Sequence, residues 1–215
     1  MEKKHLVIFD LDGTLADTSK GIYECYRFAL KSLGRQEPTY ESLDGVIGGS
    51  LLKNFETKFD LTLDEAKEAV RIYREHYAKV GYKDSTLYDG MKDALCYLKE
   101  QGYKVAVATL KAEYLAIELF KELGILDLFD VVHGVDKNDT FTKTDLVNMC
   151  ISECGETNDN CVLVGDSNND SNGAKQANID FVAATYGFGF KADKDLENIE
   201  HIAIISKPSD LKNIF

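Results

Sequence analysis

Hydrophobic residues along this 215-residue chain alternate between two patterns. Short apolar runs rich in β-formers recur at Leu6–Phe9, Val105–Ala108, Phe129–His133, Cys161–Val164, Asp180–Ala184 and Ile202–Ile205. Between most of them the apolar spacing becomes that of a helix. Met91, Leu95 and Leu98 form one stripe, ended by Gly102. Leu115, Leu119, Phe120 and Leu123 form a second, ended by Gly124, and Leu146, Val147, Ile151 and Cys154 a third, ended by Gly155. A glycine just past the last periodic residue marks a helix C-terminus. Strands apolar on both faces, alternating with helices, predict a parallel sheet covered on both sides.

One region departs from this rhythm. Between Thr18 and Lys83 no strand is evident. Ile22, Tyr26, Ala29 and Leu33 make a helical stripe that stops at Gly34. Thr62 with Glu65 spells a capping box, and Ala66, Ala69, Val70, Tyr73 and Tyr77 follow at helical spacing. The expected fold class is therefore α/β, a Rossmann-like doubly wound parallel sheet with an inserted all-helical cap domain. The expected division is residues 1–17 and 84–215 for the sheet domain and 18–83 for the cap. Doubly wound sheets bind ligands beyond the carboxyl ends of their strands. A segment inserted after the first strand would sit over that edge as a lid.

Composition narrows the function classes. The net charge of −12 repels nucleic acid and acidic membranes, whose recognition needs a basic patch. No apolar run approaches the roughly 18 residues of a membrane span. "MEKKHLVIFD" opens like a signal peptide, but its apolar stretch ends after Leu6–Phe9, which argues against targeting. The five cysteines, Cys25, Cys96, Cys150, Cys154 and Cys161, lack the spacing of a disulfide framework. No second Cys/His pair joins Cys150 and Cys154 to complete a zinc site. They read as reduced thiols of a cytoplasmic protein.

The chemistry gathers at strand ends. Leu6–Phe9 runs into Asp10 and Asp12, Val105–Ala108 delivers Thr109 followed by Lys111, and Cys161–Gly165 delivers Asp166 and Asp170. "FTKTD" supplies Lys143 just before the third helical stripe. Four carboxylates brought together repel, so their pKa values rise or a cation sits among them. An all-oxygen site with room for waters and a phosphate suits Mg²⁺ better than Ca²⁺. A lysine at a helix N-terminus opposes the macrodipole, whereas a bound anion would call for it. A divalent cation, a lysine and a hydroxyl together specify a phosphoryl group. For Asp17, before Thr18, a turn or cap role is as good a reading as a role in the site. The four histidines, His5, His76, His133 and His201, have no spacing that suggests catalysis. An EF-hand reading of "DLDGTLADTSKG" fails, because its glycine falls at the fourth loop position and a strand precedes it.

"DLDGT", "ATLK", "TKTD" and "GDSNND" resemble the four ordered motifs of the haloacid dehalogenase superfamily. The resemblance covers nearly the whole chain. "VIGGSLLKNF", "LYDGMKDAL" and "ATYGFGF" resemble the cap loop, post-cap turn and final substrate loop of its phosphoglycolate phosphatase-like group. The resemblance implies that Asp10 is the nucleophile, forming an aspartyl-phosphate. It implies that Asp12 is general acid toward the leaving alcohol, then general base toward water. Gly13 would let the backbone turn away, and Thr14 would brace the loop. Mg²⁺ would be held by Asp10, the Asp12 carbonyl, Asp166 and Asp170, the last directly or through water. Thr109, Lys143 and the backbone N–H of Leu110 would bind phosphoryl oxygens.

Two departures from the family pattern stand out. Leu110 occupies a position usually filled by serine or asparagine, and Gly48, Gly49 and Ser50 replace a more rigid, proline-bearing turn. Tyr23, Arg27, Ser50 and Lys53 are the expected cap contacts to substrate. Asp12 argues against a dehalogenase, which needs no acid/base there, and against a phosphonate hydrolase, where a small residue and a lysine from the cap would be expected. The expectation is a Mg²⁺-dependent phosphatase of a small phosphorylated metabolite, such as phosphoglycolate or a nucleoside monophosphate. It would be a monomer or weak homodimer. A sugar phosphomutase is the alternative, and a non-catalytic regulator on the same fold is a further one.

Overall fold

The computed structural model describes residues 4–136 and 139–215. Residues 1–3 and 137–138, within the ranges expected for the sheet domain, lie outside the described residues. Among the described residues six parallel strands form one sheet: β1 (Leu6–Phe9), β4 (Lys104–Ala112), β5 (Val131–Val135), β6 (Cys161–Gly165), β7 (Asp180–Ala184) and β8 (Ala203–Ile205). Their spatial order is β5-β4-β1-β6-β7-β8. β1 is central, with Leu6 aligned to Lys104 of β4 on one side and to Cys161 of β6 on the other. The order reverses direction at β1, and ligands of such sheets bind at that switch point.

Alternation along β1 shows why the sheet is covered on both faces. Leu6 and Ile8 join one apolar cluster with Leu146, Val147 and Ala174, from α6 (Lys143–Glu153) and α7 (Asn168–Gln176). Val7 and Phe9 join the other, with Leu95, Leu98 and Phe120, from α4 (Met91–Glu100) and α5 (Glu113–Glu122). All four β1 side chains are fully buried, as expected where successive residues face opposite layers.

The inserted segment is helical. It contains α1 (Ser19–Ser32), α2 (Leu51–Lys58) and α3 (Leu63–Tyr77). The expected capping box forms: Glu65 accepts from the Thr62 N–H at 2.9 Å, and Thr62 Oγ1 accepts from the Glu65 N–H at 3.4 Å. An aromatic core holds the three helices together. Tyr26 lies 4.8 Å from Phe55 and 5.1 Å from Tyr73 between ring centroids. Asn54 Nδ2 donates to the Tyr26 hydroxyl at 3.0 Å.

Three elements were not evident in the sequence. A two-strand antiparallel ribbon, β2 (Ala16–Asp17) with β3 (Thr86–Leu87), ties the ends of the insertion together. α2 buries only Phe55, and α7 buries only Asp170, Gly173 and Ala174, so neither leaves a readable apolar stripe. β4 runs four residues beyond the expected Val105–Ala108, through a register shift between Thr109 and Ala112.

Candidate active site

The carboxyl end of β1 leads into a tight turn. Gly13 has φ +92°, and a Cβ there would come within 2.5 Å of Asp166 Oδ2, so both conformation and space demand glycine. This turn sets Asp10 and Asp12 beside the end of β6. Asp10, Asp12, Thr109, Lys143, Asp166 and Asp170 are all buried. Charges are rarely buried without partners, and here the partners are explicit.

Lys143 opens α6, behind a capping box of Thr142 and Asp145. Its Nζ lies 2.6 Å from Asp10 Oδ1 and 2.8 Å from Asp170 Oδ1, and it donates to the Ala108 carbonyl at 2.8 Å. Asp166 Oδ2 accepts from the backbone N–H groups of Phe188 and Gly189 at 2.7 and 2.9 Å, and Oδ1 accepts from Thr14 Oγ1 at 3.2 Å. Asp170 Oδ2 accepts from the Ser167 N–H and hydroxyl at 3.0 and 2.6 Å. Its Oδ1, despite the nearby ammonium group, accepts no well-directed hydrogen bond and keeps unused lone pairs. Ligand oxygens of Asp10, Asp166 and Asp170 lie within 4.8 Å of one another.

Electrostatics follow from this crowding. Burial is the main force raising the Asp10 carboxyl, to about 8. Lys143 lowers it, and Asp170 and Asp166 raise it further. Burial, then Asp170, raises Asp166 to about 6, against the hydrogen bonds it accepts. Burial works against the charge of Lys143, but Asp10 and Asp170 outweigh it and hold the group above the ordinary lysine range.

Asp12 is held by a different set of groups. Thr18 Oγ1 donates to Asp12 Oδ1 at 2.6 Å, and Lys111 Nζ lies 2.9 and 3.0 Å from its two oxygens. So two aspartates from one strand end belong to two separate lysines. The sequence places Lys111 just after Thr109 at a strand end and Thr18 at the start of the insertion, and assigns neither a role at Asp12. Asp17 caps the start of α1, accepting from the Ser19 N–H at 3.0 Å. Thr109 Oγ1 accepts from the Lys111 N–H at 3.1 Å. The "ATYGFGF" signal leads to the Phe188 and Gly189 donors on Asp166.

Two clefts meet at Asp12. One, about 100 Å³, is lined by Asp10, Asp12, Ser50, Thr109 and Leu110, with Tyr26, Tyr73 and Tyr77 from the inserted helices. The other, about 240 Å³, is lined by Asp12, Tyr23, Asp44, Asp166 and Lys191. Ser50 also N-caps α2, accepting from the Lys53 N–H at 3.4 Å. Arg27 and Lys53 line neither cleft. Arg27 is committed to Glu24 at 3.1 Å and Glu37 at 2.7 Å and stacks over Tyr40, while Lys53 is exposed.

A match to the haloacid dehalogenase-like hydrolase family covers residues 7–184. The chain belongs to this family. It is 32% identical to a 5'-nucleotidase of Pseudomonas aeruginosa over 85% of this chain and 83% of that protein. It is 30% identical to a phosphoglycolate phosphatase of Colwellia psychrerythraea over 90% of this chain and 89% of that one. The tyrosine-protein kinase PtkA of Mycobacterium tuberculosis is 34% identical over 87% of this chain, which spans only 64% of the kinase. The solved structure of the haloacid dehalogenase-like protein SP0104 of Streptococcus pneumoniae superposes with a TM-score of 0.90 at 30% identity, covering all of both chains. Within the family the chain falls with the phosphoglycolate phosphatase-like group.

Proposed function

We propose that this protein is a Mg²⁺-dependent phosphomonoesterase acting on a small phosphorylated metabolite, with Asp10 as nucleophile and Asp12 as acid/base. The observation that carries this reading is the separation of the two aspartates. Lys143 holds Asp10 inside the carboxylate cluster, while Lys111 and Thr18 hold Asp12 outside it. Such unequal environments suit two carboxylates with unequal tasks.

In the first step an Asp10 oxygen attacks phosphorus. The ester P–O bond breaks, and the leaving oxygen takes its electron pair and a proton from Asp12. In the second step Asp12 takes a proton from water, which attacks the same phosphorus. The acyl phosphate bond breaks, and Asp10 returns as carboxylate with release of inorganic phosphate. Splitting one hard displacement into two easier ones is the gain from covalent catalysis. Thr109, Lys143 and the Leu110 N–H would hold the phosphoryl oxygens, fixed donors of the kind this transition state needs.

The donor set fits Mg²⁺. Asp10, Asp166 and Asp170 offer hard oxygens within 4.8 Å of one another, and one ammonium group, that of Lys143, is shared between Asp10 and Asp170. Bound there with the Asp12 carbonyl, the ion would neutralise charge on the phosphoryl group. The helices of residues 18–83 would act as the cap. They supply Ser50 to the cleft beside Thr109 and Tyr23 to the cleft beside Asp166. The relatives named as 5'-nucleotidase and phosphoglycolate phosphatase supply the first substrates to try. Free thiols, with Cys25, Cys150, Cys154 and Cys161 buried, support a reducing, cytoplasmic setting. Among the described residues no helix is long and apolar enough to cross a membrane.

The test is release of phosphate from 4-nitrophenyl phosphate with and without Mg²⁺, followed by phosphoglycolate, nucleoside monophosphates and sugar phosphates. Activity that needs Mg²⁺ and is lost in Asp10→Asn is expected. Undiminished activity in Asp10→Asn would overturn the mechanism. Isomerisation of a sugar phosphate with little phosphate released would replace phosphatase by mutase.

A further inference from the structure

We propose that Lys111 is a positioning residue that ties the aim of Asp12 to the seating of the inserted helices; this rests on the acid/base role of Asp12 proposed above. Only 7% of the Lys111 side chain is exposed. Its ammonium group contacts both oxygens of Asp12, so the carboxylate cannot rotate without breaking a contact. The same ammonium group lies 4.5 Å from the ring centroid of Tyr77, the last residue of α3. That is the range of a cation–π contact, which strengthens when the pair is removed from water. Tyr77 itself is fully buried. One side chain therefore joins an inserted helix to the carboxylate expected to move the proton.

The backbone is built to aim it. The register shift in β4 falls between Thr109 and Ala112 and carries Leu110 and Lys111. Irregularities of this kind recur beside active sites, where they re-aim side chains. The bend brings the Lys111 carbonyl against Gly134 of β5, where an added Cβ would lie 2.5 Å from that oxygen. A glycine at 134 is what admits it. The second holder of Asp12, Thr18, stands at the N-cap of α1 and so also belongs to the insertion. The Thr18 contact on Asp12 therefore belongs to the inserted segment, and the Lys111 contact is joined to it through Tyr77.

The experiment compares two esters. Proton donation matters most for a poor leaving group and least for nitrophenolate. Lys111→Met should therefore lower kcat/KM for phosphoglycolate or another alkyl phosphate by about 100-fold or more, the lower bound for losing a positioned acid. For 4-nitrophenyl phosphate the loss should stay below about 5-fold, far short of that bound. Lys111→Arg should recover part of the alkyl activity. In an Asp12→Asn background, Lys111→Met should add little, because residues acting as one unit are not additive. Equal losses on both esters, or full additivity with Asp12→Asn, would overturn the role while leaving the phosphatase reading intact. A wild type inactive on every ester would instead overturn the phosphatase reading, and this role with it. Should Lys111→Met fail to fold, Lys111→Gln and Tyr77→Leu carry the same test. Each is expected to show the same ester-selective loss, smaller for Tyr77→Leu.

Discussion

At the rim of the sheet, charged side chains are buried and each has named partners; on the outer face of the inserted helices they are exposed and pair along the surface. Lys143 is 6% exposed between Asp10 and Asp170. Arg71 is 54% exposed, with Glu68 and Glu75 one helical turn either way. The apolar cores differ as well. Branched aliphatic strands support the rim, whereas the insertion rests on Tyr26, Phe55 and Tyr73. The difference separates two kinds of charge. Rim charges repel and bind, at a standing cost in stability. Exposed pairs such as Arg71 with Glu68 and Glu75 keep a surface soluble and add little else.

That contrast can be broken most severely at the rim. Asp10→Asn should reduce phosphate release by about 10⁴-fold or more, measured as steady-state kcat. The fold should survive, because the change removes one member of a repulsive cluster. Lys143→Met should do the reverse. It leaves Asp10 and Asp170 buried without their cation, a loss of about 3–5 kcal/mol. Urea unfolding would read it, and Mg²⁺ should restore part of the loss by filling the cluster.

The pH dependence is a smaller and more specific effect. Asp10 and Asp166 have pKa values raised from 3.8 to about 8 and about 6. Between pH 5 and pH 8, above the range where the lowered carboxylates titrate, the folded, metal-free protein therefore binds more protons at these two sites than the unfolded chain does. Its stability should fall as pH rises through that window and level off above it. Mg²⁺ competes with those protons, so the Tm gained on adding it should be larger at pH 8 than at pH 5. A Tm of the metal-free protein that rises from pH 5 to pH 8 would contradict the crowding described at the rim.

The insertion should yield the smallest effects. Thr62→Ala removes the cap of α3 and should cost about 1 kcal/mol, seen as a lower Tm with little change in kcat. Arg71→Ala should leave Tm and kcat unchanged within error. A loss of activity in Arg71→Ala would show that the insertion's outer face takes part in function.

Much of the rim was legible because its signals are local. A strand that ends in charge, a glycine two or three residues on, and a lysine beside a cap can be read from neighbours alone. Asp10, Asp12, Thr109, Lys143, Asp166 and Asp170 do converge at one end of the sheet. The Thr62 capping box was legible for the same reason. The hold on Asp12 was not. Lys111 reaches it across 99 residues of chain and only through an irregularity in β4 that no local pattern announces. Tyr77 looked like one more member of an apolar stripe. The partners of Arg27, a cation near the start of the insertion and an expected substrate contact, were not legible either; in the structure they are Glu24 and Glu37.

By itself the sequence determined the layered α/β architecture, the place of the helical insertion and the identity of the charged residues at the strand ends. These depend on apolar period, capping and turn chemistry, all set within a few residues. Only the tertiary structure decided which cation serves which carboxylate. Asp10 and Asp12 stand two residues apart, yet their partners, Lys143 and Lys111, come from a different helix and a different strand. Ion pairing falls off over a few ångströms, and the fold alone brings chain segments a hundred residues apart within that distance.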